Sequence, residues 1–516
     1  MSLRVERAWR VALAIAICAA VDVRVQPVSW GQAAIPQPAV KPNAYGIIIG
    51  RDTTYLTGPL YPDGTVDYAA AINAESSRGV TLQNNAACLI ACIVGDNDDR
   101  WMIIPDDVLR QMGVDPKAPK VKWIPMPEKL AEMVKQQAGG PWKRSDMPEL
   151  AAWLQSNKAG MDLFLEASSR SAWWAPFKDD RILLMSAAQS RLVQSINASA
   201  RAVCLRAMLR LGEGDEQGAC EDLAACERLA GLTRNSPQTI IRLIGAQMYS
   251  LAVSGMGEMI EHGAMSPDTL GRMDALLAKQ PQWPIGGDVI PQSERYQFLM
   301  EVVYYAKGLQ DAMQKNNGAL AKEFQKAGAR PPDWNRVMRM GNQLFDLLQA
   351  DQARMSAAEQ VDHAFKIKTQ LGKLRAGFND AHAEMLPDFT MDTTWLLPNE
   401  RETTEAYSDR VGAVMIMFAS PDPAGRERMF VRCNDSTAWT RVALALLRYR
   451  TAHGAYPDDL KALIPRYVEA MPGANTELPV RYARQGAGFI LTNEQAAAPA
   501  TQPTAKPWRI HIQRNR

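Results

Sequence analysis

Histidine and net charge are both scarce in this sequence. Five of its 516 residues are histidine, and 58 lysine and arginine residues balance 56 aspartate and glutamate residues to leave a formal charge of +2. Histidine is the commonest metal ligand and the side chain that titrates nearest to neutral pH, so this shortage leaves little material for a metal centre or a catalytic triad. The sequence has no block of five or six like charges that could follow a phosphate backbone. We therefore expect no nucleic-acid partner.

The motifs that reveal the common enzyme classes are also missing. The sequence contains no Walker loop, no Gly-x-Ser-x-Gly elbow and no His-Glu-x-x-His motif. A Gly-x-Gly pattern occurs in "GEGDEQG" (212–218), but a dinucleotide site needs a strand before its glycines, and here a helix is predicted. Cys88 and Cys92 are one helical turn apart, with no second Cys or His pair nearby to complete a tetrahedral zinc site. We therefore predict no catalytic, cofactor-binding or metal-binding residues.

Long apolar runs are confined to the N-terminus. Three arginines precede "VALAIAICAAV" (11–21), and a small-residue cleavage site follows at Ala33. Eleven apolar residues are too few to span a hydrocarbon layer, which needs about twenty. Residues 1–33 are therefore predicted to be a secretory signal peptide, and whether it is cleaved or retained stays open. We expect a periplasmic or secreted protein with no integral membrane segment after signal cleavage.

Six cysteines remain after the signal peptide, an even number in a chain that is expected to meet an oxidising compartment. Cys204 and Cys220 lie on either side of "LGEGDEQG". In a helical hairpin they would sit at similar heights on facing helices and could form a disulfide. The alternative is that both are small buried thiols that pack as alanine does.

The spacing of apolar residues predicts a mainly α protein. Over 161–385 they recur at intervals of three and four, which indicates stacked helical hairpins. In the clearest hairpin two apolar faces are expected to pack together: Leu192, Ile196, Ala200, Val203 and Ala207 on the first helix, and Ala219, Leu223, Cys226 and Ala230 on the second. The hairpins resemble tetratricopeptide packing in length, but the Trp, Gly, Tyr and Pro signature of that repeat is absent. In the full division, the regions are a signal peptide (1–33), a Pro-rich spacer (34–44), a mixed α/β segment with short helices (45–160), a helical-hairpin domain (161–385), a connector with a helix (386–430), a small α+β module (431–494) and an Ala/Pro-rich linker and tail (495–516).

The start of the mixed α/β segment carries local signals. "YGIII" and "DTTYLTG" (45–58) alternate β-branched and aromatic residues, which predicts two short strands. Two short helices are expected to follow, one with Asp67 as its N-cap and Gly79 at its end, the other with Thr81 as its N-cap and Gly95 at its end.

Tryptophan is plentiful, with 13 residues in the chain. Trp173 and Trp174 in "AWWAPF" could stack on a sugar ring, or could pack between helix ends in the core. The Trp142–Trp174 region also lies near four carboxylates, Asp162, Glu166, Asp179 and Asp180. Two of these facing each other at roughly 5 to 10 Å across exposed indole rings would favour a periplasmic carbohydrate-binding protein or hydrolase.

The stretch "ALLRYRTAHGAYPDDLKALIPRYV" (445–468) is predicted to be scaffold. A helix over 435–454 would have Asp435 or Ser436 as its N-cap and Gly454 at the C′ position. His453 then lies at the negative end of the helix, where a partly charged imidazole is stabilised without any catalytic role. A β-hairpin is expected to follow, turning at Gly486 to Gly488. The structural residues predicted for this module are Trp439, Leu446, Tyr449, His453, Gly454, Tyr456, Pro457 and Leu460.

Residues of about 434–494 resemble the globular domain of the major pseudopilins of type II secretion. The resemblance rests on "LLRYRTAHGAYPDDLKALIP" followed by "PVRYARQGAGFIL", and it covers about an eighth of the chain. It implies an α+β module. The apolar membrane helix and the acidic calcium loop of pseudopilins have no counterpart here. The stretch from 52 to 87 is also similar to the start of a family of exported bacterial proteins, which implies export without a mechanism.

These features lead to three functional hypotheses. The first is a non-enzymatic envelope protein that binds a protein or peptide on an extended helical surface. The second is a periplasmic carbohydrate-binding protein or hydrolase that uses the Trp142–Trp174 region. The third is an accessory component of a type II secretion or pilus-like apparatus. Oligomeric state cannot be read from the sequence.

Overall fold

The computed structural model describes most of the chain after the N-terminal region. The described residues are 41–95, 104–136, 140–177, 187–262, 265–315, 324, 330–380, 396–397, 402–419, 423–471, 481–492 and 509–512. Within them the protein is mainly helical, as predicted. The predicted signal peptide, most of the spacer and the carboxylates Asp179 and Asp180 lie outside the described residues.

The helices and strands of the described ranges are numbered here in chain order. The α-helices are α1 (Tyr68–Ser76), α2 (Ala86–Ile90), α3 (Asp106–Gln111), α4 (Glu128–Gln136), α5 (Pro148–Ser156), α6 (Lys158–Ser168), α7 (Ala187–Gly212), α8 (Glu216–Thr233), α9 (Thr239–His262), α10 (Pro267–Lys279), α11 (Gln292–Lys315), α12 (Trp334–Leu348), α13 (Ala357–Asp380), α14 (Thr404–Ala419) and α15 (Pro423–His453). The strands are β1 (Ile93–Gly95), β2 (Val121–Trp123), β3 (Arg481–Gln485), β4 (Gly488–Thr492) and β5 (Arg509–Ile512).

Residues 45–58 form turns and irregular backbone and contain no strand, so the two short strands predicted there are wrong. The hydroxyl groups of Thr53 and Thr54 donate to the Gly50 carbonyl oxygen at 3.3 and 3.2 Å. Tyr55 adopts a φ of 60° in the left-handed region, which curls the backbone further. The β-branched residues that indicated strands satisfy local backbone groups here, and local side-chain bonding of this kind competes with sheet pairing.

Helix α1 begins at its predicted cap, and α2 does not. The Asp67 carboxylate accepts a hydrogen bond from the first turn of α1 at 2.8 Å, and Gly79 takes a φ of 73° shortly after the helix ends. Asn85, and not the predicted Thr81, caps α2 by accepting a first-turn N–H at 3.1 Å. Strands β1 and β2 then pair in parallel, a small sheet that was not predicted.

Helices α7, α8 and α9 pack against one another, and α6 packs on α7 and α8. The apolar faces predicted on α7 and α8 are both buried, at 1% exposure or less for every member. They comprise Leu192, Ile196, Ala200, Val203 and Ala207 on α7, and Ala219, Leu223, Cys226 and Ala230 on α8. Many of these residues are alanine, so the two helices can approach closely.

Helix α15 begins at Pro423, well before the predicted cap, so Asp435 and Ser436 lie inside the helix. Because α15 packs on both α9 and α10, tertiary contacts support helical structure ahead of the amphipathic stretch. The end of the helix is as predicted: Gly454 has a φ of 77° and its N–H donates to the Arg450 carbonyl oxygen at 2.8 Å.

The C-terminal strands form a three-stranded antiparallel sheet in the order β3-β4-β5. The predicted hairpin is present, with Gln485 paired to Gly488 and Gly486 at a φ of 53° in the turn. Strand β5 lies in the stretch predicted to be a tail, and Ile510 pairs with Leu491 of β4. Its side chain is 1% exposed, so burial of an apolar residue on the sheet explains why this part of the tail is ordered into a strand.

Two units divide the chain, Met1–Lys41 and Pro42–Arg516. Within the second unit, one continuous hydrophobic core joins side chains from the N-terminal turns to Ile510 of β5. The described segments after Lys41 therefore share one hydrophobic core. The domain boundaries that the sequence predicts within them stay predictions. In the described ranges, no helix is both long enough and apolar enough to cross a membrane.

Candidate functional site

A cleft of about 500 Å³ opens between the N-terminal halves of α8 and α10. Each helix has a side-chain cap at this end: the Asp215 carboxylate accepts from the Gly218 N–H at 2.9 Å, and the Ser266 hydroxyl accepts from the Thr269 N–H at 3.2 Å. The Ser266 N–H donates to the Glu216 carboxylate at 2.8 Å and so ties the two helix starts together. The lining residues are Gly214, Asp215, Glu216, Gln217, Cys220, Glu221, Ala224, Arg228, Ser266, Asp268, Thr269, Arg272 and Leu276.

Acidic side chains outnumber basic ones around the cleft. Its carboxylates are Asp215, Glu216, Glu221 and Asp268, and its guanidinium groups are Arg228 and Arg272. One basic group is paired within its own helix, since Arg272 contacts Asp268 at 2.9 Å. The other is turned towards α6, because its Nη2 donates to the Ser168 hydroxyl at 3.2 Å. Arg210, outside the lining, contacts Asp215 at 3.6 Å. The negative charge that the cleft presents to solvent therefore comes mainly from Glu216 and Glu221.

One thiol lies on the wall of the cleft. Cys220 is 8% exposed, and burial raises the pKa of this thiol to about 11. A thiol with so high a pKa is almost wholly protonated at neutral pH, and the thiolate is the nucleophilic form. Cys220 therefore contributes an apolar contact to the cleft and no reactive sulfur.

Behind the cleft, an ion-pair network holds α7 and α8 in register. The Asp222 carboxylate is fully buried, and it accepts from Arg206 Nε at 3.0 Å and Nη2 at 2.7 Å. Arg210 adds a contact to the same carboxylate at 2.9 Å and donates to the Gly218 carbonyl oxygen, also at 2.9 Å. A buried carboxylate held by two guanidinium groups fixes one alignment of the two helices.

That alignment places Cys204 opposite Cys226, at an Sγ–Sγ distance of 3.7 Å, and not opposite the predicted partner Cys220. The hairpin turns at Gly214, ten residues after Cys204 and only six before Cys220. The two cysteines of the predicted pair therefore lie at different distances from the turn along their helices. Cys226, twelve residues beyond the turn, is the residue at the matching height. All six described cysteines are free thiols in this structure.

The tryptophans of the carbohydrate hypothesis face inward. Trp142, Trp153 and Trp173 are 7–8% exposed. Trp174 is half-buried, and its indole N–H donates to the Ser76 hydroxyl at 3.1 Å. This placement favours core packing for Trp173 and Trp174 over sugar stacking, since a sugar needs an exposed ring face.

The described carboxylates of the same region form ion pairs with basic neighbours. Asp162 contacts Lys158 at 2.5 Å within α6, and Glu166 contacts Arg170, two residues beyond the end of α6, at 2.9 Å; both carboxylates are exposed. Helical ion pairs of this kind are ordinary surface features. The part of the chain that the structure describes holds no cluster of three or more His, Cys, Asp or Glu side chains suited to a metal ion.

The residues predicted for the C-terminal module lie at the end of α15 and in the turn after it. Trp439, Leu446, Tyr456 and Pro457 are buried, Tyr449 and Leu460 are partly buried, and His453 and Gly454 are exposed. The His453 ring stacks on Tyr449 with centroids 4.2 Å apart, and its Nε2 lies 3.3 Å from the Tyr467 hydroxyl. These contacts join the end of the helix to the segment that follows.

Sequence reasoning missed the cleft itself. Both helix starts carry readable signals, the "GDEQG" turn before α8 and the Ser-Pro pair before α10. Their adjacency in space has no sequence signal, because some fifty residues of helix separate them.

Comparisons with protein-family models, with curated proteins and with solved structures found no match.

Proposed function

We propose that this chain is an exported, non-enzymatic binding protein whose helical hairpins present a cleft for a peptide segment with lysine or arginine side chains. The observation that carries the proposal is the acidic surplus around the cleft between α8 and α10. Its volume of about 500 Å³ falls within the range of pockets that hold small ligands or a few residues of a peptide.

The charge of the cleft favours a cationic partner in particular. Glu221 is exposed on the cleft wall, and its Oε1 accepts a hydrogen bond from Gln217 at 3.0 Å. A lysine side chain entering between the helices would meet this carboxylate without breaking the contact that joins Glu216 to Ser266. The two helix N-termini would repel a cation, but capping and first-turn carboxylates offset that partial charge.

Export is the second element of the proposal, and the N-terminal sequence supports it. Arginines followed by eleven apolar residues and a small-residue cleavage site are typical of a secretory signal. Cell fractionation with N-terminal sequencing of the recovered protein tests this element separately. We expect a mature N-terminus near residue 34; recovery of the intact chain only from the cytoplasmic fraction would contradict export.

The binding experiment uses the purified protein and two fluorescein-labelled peptides of equal length, one of alternating Lys and Ala and one of alternating Glu and Ala. We expect the Lys peptide to bind and its affinity to fall as salt is raised, because exposed charges are screened. The Glu peptide should not bind. Equal binding of both peptides, or binding of neither, would overturn the proposal.

A matched pair of variants locates the binding site. Glu221→Gln removes one exposed carboxylate from the cleft, and we expect about two- to fivefold weaker binding, the size of one exposed charge pair. Glu128→Gln removes an exposed carboxylate from α4, outside the cleft lining, and should leave the affinity unchanged. Equal effects of the two variants would show that the peptide binds by net charge and not in the cleft.

The C-terminal region favours a second candidate, an accessory component of a type II secretion or pilus-like apparatus. A long helix, α15, is followed by the antiparallel sheet β3-β4-β5, an order of elements compatible with the resemblance to pseudopilins. Against filament assembly, Arg441 and Arg448 of α15 contact Asp274 of α10 at 3.1 and 2.8 Å, so this helix is engaged within its own chain. Co-purification with pilin-like subunits from envelope extract would support the candidate, and their absence would remove it.

A further inference from the structure

Two thiols meet across the interface of α7 and α8. The Sγ atoms of Cys204 and Cys226 lie 3.7 Å apart, within the limit for a thiol hydrogen bond. Cys226 is fully buried and also lies 3.8 Å from the Ala200 carbonyl oxygen, whereas Cys204 is partly exposed. One residue of the pair is thus partly exposed and the other is fully buried.

The helices hold these two sulfurs together by more than their own contact. Asp222, one turn before Cys226 on α8, is bound by Arg206, two residues after Cys204 on α7. Any slip of one helix along the other would break this buried ion pair. The thiols therefore stay opposed in the reduced protein.

The other described cysteines have different surroundings. Cys92 Sγ contacts the carbonyl oxygen of Cys88 at 3.3 Å, within a single turn of chain. Cys433 Sγ lies 3.7 Å from the Ala246 carbonyl oxygen and is buried. Cys220 lines the cleft.

We propose that Cys204 and Cys226 are a disulfide site, which cross-links α7 to α8 when the protein meets a disulfide oxidant. Closing the pair requires the two sulfur atoms to approach from 3.7 Å to about 2.05 Å. Rotation of the side chains and a small approach of the helices can supply this movement, since alanines line much of the interface.

The exchange begins at Cys204, the partly exposed residue of the pair. The Cys204 thiolate attacks one sulfur of the oxidant disulfide, forms a mixed disulfide and releases the first oxidant thiol. The Cys226 sulfur, after losing its proton, attacks Cys204 Sγ and releases the second oxidant thiol. The two cysteines lose two hydrogens and two electrons, and the oxidant disulfide gains them. Burial and the adjacent Cys204 raise the pKa of the Cys226 thiol well above its usual value, which makes Cys226 the slower, second attacker.

The test treats the reduced full-length protein with oxidised glutathione, blocks remaining thiols with N-ethylmaleimide and maps the cross-link by mass spectrometry. Trypsin leaves Cys220 and Cys226 on one peptide, so cleavage after Glu221 with a glutamate-specific protease is needed to separate them. We expect the peptide of Cys204 joined to that of Cys226, with a loss of 2 Da from the chain. Cys204 joined to Cys220, a lasting glutathione adduct on Cys204, or blocking of all seven thiols of the full-length chain would each overturn the proposal.

Three variants complete the experiment. Cys204→Ala and Cys226→Ala should each abolish the 2 Da loss, whereas Cys220→Ala, the matched control on the same helix, should keep it. Cys204 is partly exposed, so its variant is expected to fold even if the variant of the buried Cys226 does not. Persistence of the 2 Da loss in Cys204→Ala would exclude this pair. The assay is independent of the cleft, so its failure would leave the peptide-binding proposal untouched.

Discussion

Glu227 on α8 should make this protein less stable as pH rises, which is opposite to the usual effect of a carboxylate. Its side chain is fully buried, one carboxylate oxygen accepts from Gln280 Nε2 at 2.8 Å, and the other oxygen has no partner. Burial raises the pKa of Glu227 from 4.5 to about 8, against the opposing effects of the Gln280 hydrogen bond and of nearby Arg228. The carboxyl group is therefore protonated in the folded protein at neutral pH.

The sign of the effect follows from proton binding. Between pH 4.5 and about 8 the folded chain keeps the Glu227 proton and the unfolded chain has lost it. The stabilisation is complete below pH 4.5 and is lost as pH rises through 8, at about 1.4 kcal/mol per pH unit. Over the whole window the loss amounts to roughly 5 kcal/mol, an upper value because partial opening to water would reduce it.

Glu227→Gln tests this reasoning, because glutamine resembles the protonated carboxyl group and does not titrate. We expect the variant to be about as stable as the wild type near pH 5 and roughly 4 kcal/mol more stable near pH 8. Urea unfolding of both proteins at several pH values gives the difference, in which the titration of all other groups cancels. Glu221→Gln, an exposed change on the same helix, is the control. A difference between Glu227→Gln and wild type that stays constant from pH 5 to pH 8 would refute the reasoning.

Four further changes test the packing of the helices and the role of His453. In Gly341→Ala the new Cβ would lie 2.0 Å from Phe298 Cε1, and we expect a loss of about 1–3 kcal/mol in urea unfolding. Gly257→Ala meets nothing within 4 Å and should instead gain up to about 1 kcal/mol from helix propensity; equal effects of the two alanines would contradict the packing. Asp222→Asn leaves its arginines without a charge partner and should cost about 3–5 kcal/mol, and an unchanged urea midpoint would argue against the buried ion pair. His453→Gln should leave peptide binding unchanged and lower the melting temperature by no more than about 2 °C, and loss of a measurable activity at constant melting temperature would show a catalytic role.

Local signals predicted several elements of this protein correctly. The cap at Asp67, the positive-φ glycines Gly454 and Gly486, and the buried faces of α7 and α8 depend on residues close together in the chain. Capping and helical periodicity involve contacts within a few positions, so their patterns are visible in the sequence.

Other predictions failed where the decisive contacts are distant in sequence. The strands expected over 45–58 are turns and irregular backbone, and Ile510 belongs to a strand because Leu491 of β4 pairs with it. Helix α15 begins early because α9 and α10 support it. Propensity alone cannot anticipate such contacts, since tertiary packing overrides it.

The candidate site shows most clearly the difference between features set by neighbouring residues and features set by contacts distant in sequence. By itself the sequence determined the turn before α8, the helix start at the Ser-Pro pair before α10 and the number of carboxylates nearby, because these depend on residues close together in the chain. Only the tertiary structure decided that the starts of α8 and α10 lie side by side, and that Cys204 faces Cys226 and not Cys220. Helix register across an interface is set by long-range contacts such as the buried pair of Arg206 and Asp222, and these depend on how the helices pack in three dimensions.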